Sequence, residues 1–132
     1  MRLLGVDHGK KRIGLAISDE TGVVATPVGY VKSVTEVART VAERGVGKIV
    51  VGLPRKLDGT NSPQTEATLT FTKALEQATK VPVVMWDEWL TTAQVERVLI
   101  EGDVRRSTRR EKRDQLAATI LLQSYLDAHP TL

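Results

Sequence analysis

The chain has 132 residues, 41% hydrophobic and 27% charged, which fits one globular domain spanning 1–132 and leaves no room for a second lobe. Lys and Arg number 19 against 16 Asp and Glu, a formal charge of +3 that leans mildly towards polyanionic partners. The absence of cysteine excludes disulfides, thiolate zinc sites, iron–sulfur clusters and cysteine nucleophiles, and His8 and His129 are the whole imidazole supply. Chemistry must therefore lean on carboxylates, hydroxyls and Lys/Arg. No apolar run is long enough to span a bilayer, and Gly5 and Asp7 interrupt the amino terminus before an export signal could form, so the expected location is the cytoplasm.

Residues 2–6 are apolar enough for a buried strand, and 12–18 alternates Ile13, Leu15 and Ile17 with smaller or polar residues; Asp7 to Lys11 joins the two as a hairpin. After a turn at Asp19-Glu20-Thr21-Gly22, residues 23–31 form a third strand, which Pro27 confines to an edge. Ser33-Val34-Thr35-Glu36 has capping-box spacing and opens a helix of about three turns, with Val37, Ala38, Val41 and Ala42 on one stripe and Gly45 at its end. Residues 48–52 read as a strand buried on both faces, stopped by Gly52-Leu53-Pro54, and 55–63 as a polar loop. Ala67, Phe71, Ala74, Leu75 and Ala78 give a helix over 64–78, followed by a fifth strand over 81–86. Thr91-Thr92-Ala93-Gln94 opens a helix that ends at Gly102, and Thr108-Arg109-Arg110-Glu111 caps a last helix through about Ala128. The expected fold is α/β: a mixed five-stranded sheet, three antiparallel strands then two parallel crossovers, covered by helices.

Three places hold candidate chemistry. Asp7 ends a buried strand beside Gly9 and the cations Lys10, Lys11 and Arg12; this suits a metal or phosphate contact, and equally the plain start of a hairpin turn. Asp87-Glu88 follows the fifth strand, at the strand ends where ligands collect in open α/β sheets; the same pair also favours the dipole of a following helix. Asp114 shares a helical stripe with Ala117, Ala118 and Leu121, and an acid on a core-facing stripe is costly unless neutralised, hydrogen-bonded, paired with an Arg or bound to a metal.

Carboxylates from separated elements suit a hard cation. Asp7, Glu88 and Asp114, with Asp87 as the alternative second acid, could bind two Mg²⁺ or Mn²⁺ ions for in-line phosphodiester displacement. Arg105, Arg106, Arg109, Arg110, Lys112 and Arg113 put six cations and one acid just before Asp114. Cations near a helix amino terminus oppose its dipole, so helix stability does not explain them, and they read as a phosphate-backbone track with Lys10, Lys11 and Arg12. One Phe, two Trp and two Tyr supply a base-stacking platform poorly. Trp86 reads as core packing and Trp89 as a substrate contact.

Four segments resemble the YqgF or RuvX-type Holliday-junction-resolvase-like nucleases, a bacterial branch of the ribonuclease-H-like superfamily. They are Gly5-Val6-Asp7-His8-Gly9 with Lys11-Arg12-Ile13-Gly14-Leu15-Ala16 and Ser18-Asp19; Ile49-Val50-Val51-Gly52-Leu53-Pro54 with Asp58-Gly59-Thr60; Asp87-Glu88 with Leu90-Thr91-Thr92; and Asp114 with Ala117-Ala118 and Ile120-Leu121. The resemblance covers nearly the whole chain. It implies a ribonuclease-H-like fold, with Asp7 and Asp114 matching the family's metal-binding acids and Glu88 the second acid. Trp89 stands where that family usually carries an Arg, which puts the Arg's phosphate contact in doubt. The resemblance also implies processing of the 5′ end of pre-16S ribosomal RNA, with branched-DNA cleavage in some members.

The expected function is a Mg²⁺- or Mn²⁺-dependent endonuclease acting on precursor ribosomal RNA, as a monomer or homodimer and away from membranes. One alternative is a Holliday junction resolvase, which must be a symmetric dimer to make two matched cuts. Another is a catalytically silent module that docks on RNA. A nucleotide-hydrolysing relative of the sugar kinases is set aside, because 132 residues cannot form its two lobes.

Overall fold

The computed structural model describes residues 1–54, 60–87 and 106–130, and for 106–115 the backbone alone. The first strands are β1 (Arg2–His8), β2 (Ile13–Ser18) and β3 (Ala25–Val31), followed by helix α1 (Val34–Arg44) and β4 (Val46–Leu53). Helix α2 (Pro63–Thr79), β5 (Val83–Asp87) and helix α3 (Arg106–Ala128) complete the described elements. The sheet order is β3-β2-β1-β4-β5, with β1 antiparallel to β2, β2 antiparallel to β3, and β4 parallel to both β1 and β5. This is the mixed sheet expected from the sequence.

Strand alternation divides the core into two. On one face Leu4, Val6, Ile13, Leu15, Ile17, Ile49 and Val51 pack against Val37 and Val41 of α1 and Phe71 and Leu75 of α2. On the other, Leu3, Ala16 and Val50 pack against Ala118, Leu122, Tyr125 and Leu126 of α3. Trp86, half-buried, packs against this second cluster with its ring edge-on to Tyr125 at 5.4 Å, at the border of the core where full core packing was expected.

Local rules explain most boundaries. The Ser33 side chain accepts from the Glu36 amide at the start of α1, and Gly45 closes that helix at φ 64, a left-handed conformation that glycine adopts freely. Pro27 is exposed on the outer strand, where a missing N–H costs nothing.

Helix α2 departs from expectation. Ala67, Ala74 and Ala78 face solvent, and the buried stripe is Thr65, Thr68, Phe71, Thr72 and Leu75. Threonines can lie inside because their hydroxyls are bonded: Thr72 donates to the Thr68 carbonyl at 2.8 Å, and Thr65 donates to the Pro54 carbonyl. A capping box between Ser62 and Thr65, with Pro63 in the first turn, starts this helix. Helix α3 is already formed at Arg106, so Thr108 lies within it and is not its cap. The expected helix after Thr91 lies outside the described residues. Among those described, no helix is long and apolar enough to cross a membrane.

Candidate nuclease site

Asp7 is the penultimate residue of β1, half-buried and opposite Gly14 of β2. Alternation puts Leu3, Gly5 and Asp7 on the α3 side of the sheet and Leu4, Val6 and His8 on the other. Gly5 is the point of closest approach: a Cβ there would lie 2.7 Å from the Leu122 Cβ and 3.0 Å from the Ala118 carbonyl oxygen. Lys48, paired with Leu3 at the start of β1, lies 5.3 Å from the Tyr125 ring. Helix α3 therefore runs against the direction of β1, its carboxyl end over the start of the strand. Its earlier turns extend towards the end of β1 that carries Asp7, and the stripe through Ala118 and Leu122 reaches position 114 one turn earlier.

Asp87 is the last residue of β5, exposed and in register with Leu53 at the carboxyl end of β4. Glu88, Trp89 and Arg105 lie outside the described residues. Asp114, Arg106, Arg109, Arg110, Lys112 and Arg113 are placed by their backbone in α3, so Asp114 sits well past the helix's first turn. Among the described residues no three His, Asp or Glu side chains cluster, and the side chains of Glu88 and Asp114 are not in that set. Lys10 and Lys11 are exposed in the β1–β2 turn, and the Arg12 guanidinium lies over the Tyr30 ring at 5.2 Å. Gly9 closes that turn by donating to the Arg12 carbonyl at 3.0 Å. A Cβ on Gly9 would sit 2.7 Å from the same oxygen, so the turn next to Asp7 requires glycine.

Sequence reasoning noted His8 only as one of two imidazoles. The structure turns its ring away from the Asp7 face, stacked on Phe71 at 4.3 Å with Nδ1 3.1 Å from the Thr68 hydroxyl. Burial pushes its pKa below the ordinary histidine value, which favours the neutral ring. The Gln64 amide donates to the His8 carbonyl at 2.8 Å. With the Thr65 bond to Pro54, this ties the first turn of α2 to the carboxyl ends of β1 and β4. Gln64 carries no sequence signal for this role, because the contact spans 56 positions. A concavity of about 530 Å³ lined by Ile120, Gln123, Ser124, Asp127 and Ala128 lies towards the carboxyl end of α3, away from Asp7.

A five-stranded mixed sheet, an acid at the end of its central first strand and a long helix crossing that strand define the ribonuclease-H-like architecture. A solved structure of similar fold is that of T. thermophilus RuvC in complex with Holliday junction substrate, 18% identical with a TM-score of 0.59 and covering 97% of this chain and 94% of that one. The chain belongs to the RuvX Holliday junction resolvase family, whose model matches residues 1–128. A relative from Caldanaerobacter subterraneus subsp. tengcongensis is 45% identical, covering 97% of each chain, and one from Desulforudis audaxviator is 42% identical, covering 97% of this chain and 95% of the relative. Both carry the name "Putative pre-16S rRNA nuclease".

Proposed function

We propose that this protein is a divalent-metal-dependent endonuclease that cuts phosphodiester bonds in precursor 16S ribosomal RNA, at its 5′ end, in the cytoplasm. The observation that carries this reading is the approach of α3 onto β1 at Gly5, two residues before Asp7 on the same face, along a stripe that continues to Asp114. The family model supports a nuclease, and the names of full-length relatives support precursor 16S ribosomal RNA as its substrate.

The donor set fits the metal. Asp7, Glu88 and Asp114 offer carboxylate oxygens alone, the ligands Mg²⁺ and Mn²⁺ take, and the chain has no cysteine thiolate to favour a softer metal. When bound, a pair of such ions neutralises charge on the scissile phosphate and activates water for in-line attack. Asp7 and Asp114 hold the metals, with Glu88 as the third ligand and Asp87 as its alternative. The end of β1 next to Asp7 is tied to α2 through His8 and Gln64, which supports a fixed backbone at this position. Lys10, Lys11 and Arg12, with Arg105, Arg106, Arg109, Arg110, Lys112 and Arg113, hold the sugar–phosphate backbone. His8 is no proton carrier in this scheme, because its ring is on the far side of the sheet from Asp7.

The test is cleavage of matched precursor ribosomal RNA and a four-way DNA junction by one preparation, with Mg²⁺ or Mn²⁺, beside Asp7→Asn and Asp114→Asn. RNA cut by the wild type, with both variants folded, binding RNA and inactive, is the expected result. Symmetric junction cutting by a dimer would establish the resolvase reading instead, which the family's description favours. Binding without cutting of either substrate would make the protein an RNA-docking module.

A further inference from the structure

The row of paired residues that contains Asp7 continues across two more strands. Asp7 opposes Gly14, and Gly14 opposes Tyr30 on β3. Residues directly opposite in a ladder project from the same face, so Tyr30 lies on the α3 side, about 10 Å from Asp7 across two strand spacings. A register shift between Leu15 and Ala16 makes this so. Pairing continued from Pro27 opposite Ala16 without the shift would set Tyr30 against Ile13, whose side chain faces α1 and α2.

The ring does not serve the core. Tyr30 is 40% exposed on the outer strand, with the Arg12 guanidinium 5.2 Å from its centroid. Lys10 and Lys11 are exposed in the adjoining turn, and Lys32 is exposed just past β3. Glu36, the nearest acid in sequence, accepts the Lys32 backbone amide at 3.2 Å. An exposed aromatic ring under a guanidinium, with lysines in the adjoining turn and just past its strand, and level with the candidate catalytic acid, matches what an unpaired polyanionic strand requires: a flat surface for a base and cations for its phosphates.

We propose that Tyr30, with Arg12 over its ring, is a stacking platform for an unpaired base of the substrate strand next to the scissile phosphate, while Lys10, Lys11 and Lys32 take flanking phosphates. The proposal rests on the nuclease reading above and adds to it a preference for single-stranded substrate beside the cut. The scarcity of aromatic residues is no obstacle, since one base needs one ring.

The test uses Tyr30→Ala and Tyr30→Phe in an Asp7→Asn background, with fluorescence anisotropy of a labelled unstructured RNA and of the same RNA fully duplexed, over a range of salt. Tyr30→Ala should weaken single-strand binding about tenfold, leave duplex binding unchanged and keep the slope of log K against log salt, because no phosphate contact is lost. Tyr30→Phe keeps the ring and should restore wild-type affinity, which separates stacking from a general effect on folding. Equal losses on single strand and duplex, or no loss in Tyr30→Ala, would overturn the platform. The parallel cleavage assay with Asp7 intact separates the two failures. A protein that cuts RNA but is indifferent to Tyr30 refutes the platform alone, and one that neither binds nor cuts RNA refutes both.

Discussion

Replacing Gly5 with alanine should destabilise the protein, against the usual direction of that substitution. A glycine inside a strand is ordinarily worse than alanine by about 0.5–1 kcal/mol, because it loses more backbone freedom on folding. At Gly5 the added methyl would stand 2.7 Å from the Leu122 Cβ and 3.0 Å from the Ala118 carbonyl oxygen. Ordinary carbon contacts are about 3.5–4.0 Å, so the shortfall is roughly 1 Å. Neither atom is the end of a flexible side chain, and relief requires α3 to move off β1. Overpacking of this kind costs about 1–3 kcal/mol, and the backbone contact favours the upper part of that range, leaving a net loss of about 1–2 kcal/mol after the entropic gain. Urea unfolding read by circular dichroism should show a lower midpoint at unchanged m-value. The displacement would also move position 114 relative to Asp7, so Mn²⁺ affinity, measured by titration of folded protein, should fall with it. A Gly5→Ala protein with an equal or higher midpoint would refute the claim that α3 rests on β1 at this point.

Arg109→Ala with Arg110→Ala should weaken RNA binding and lower the salt slope by up to roughly two units if both contact phosphates, as titration at several salt concentrations would show. An unaltered slope would reduce the segment to a solvated face. The Asp19 carboxylate accepts the Thr21 hydroxyl and the Val24 and Val23 amides, which hold its pKa well below the usual carboxylate range. The unfolded chain then binds the proton first, so this stabilisation is complete above about pH 5 and fades as pH falls through the unfolded value near 3.9 and below. Asp19→Asn should flatten the acid limb of stability against pH; parallel limbs would remove Asp19 from the account. Lys80 ends α2 at φ 59, a left-handed conformation costly for any residue with a Cβ, so Lys80→Gly should stabilise by about 1 kcal/mol, read as a raised urea midpoint.

The local grammar of the chain marked most of the described elements and singled out Asp7 and Asp114 as candidates. Alternation marked β2, the Ser33 cap and Gly45 bounded α1, and Pro27 marked an outer strand; each is a rule of backbone sterics or hydrogen bonding that acts within a few residues. Asp7 stood out because it follows an apolar run, and Asp114 because it shares a stripe with alanines and a leucine. Tertiary packing decided what pattern could not. Helix α2 buries threonines and exposes alanines because its hydroxyls found carbonyl and histidine partners, some of them on distant strands, and hydrophobicity alone cannot anticipate a satisfied polar group. The level of Tyr30 with Asp7 likewise depends on a one-residue register shift between β2 and β3. Side chains alternate with a period of two, so that single step decides which face of the sheet the ring occupies, and the shift is set by pairing between strands.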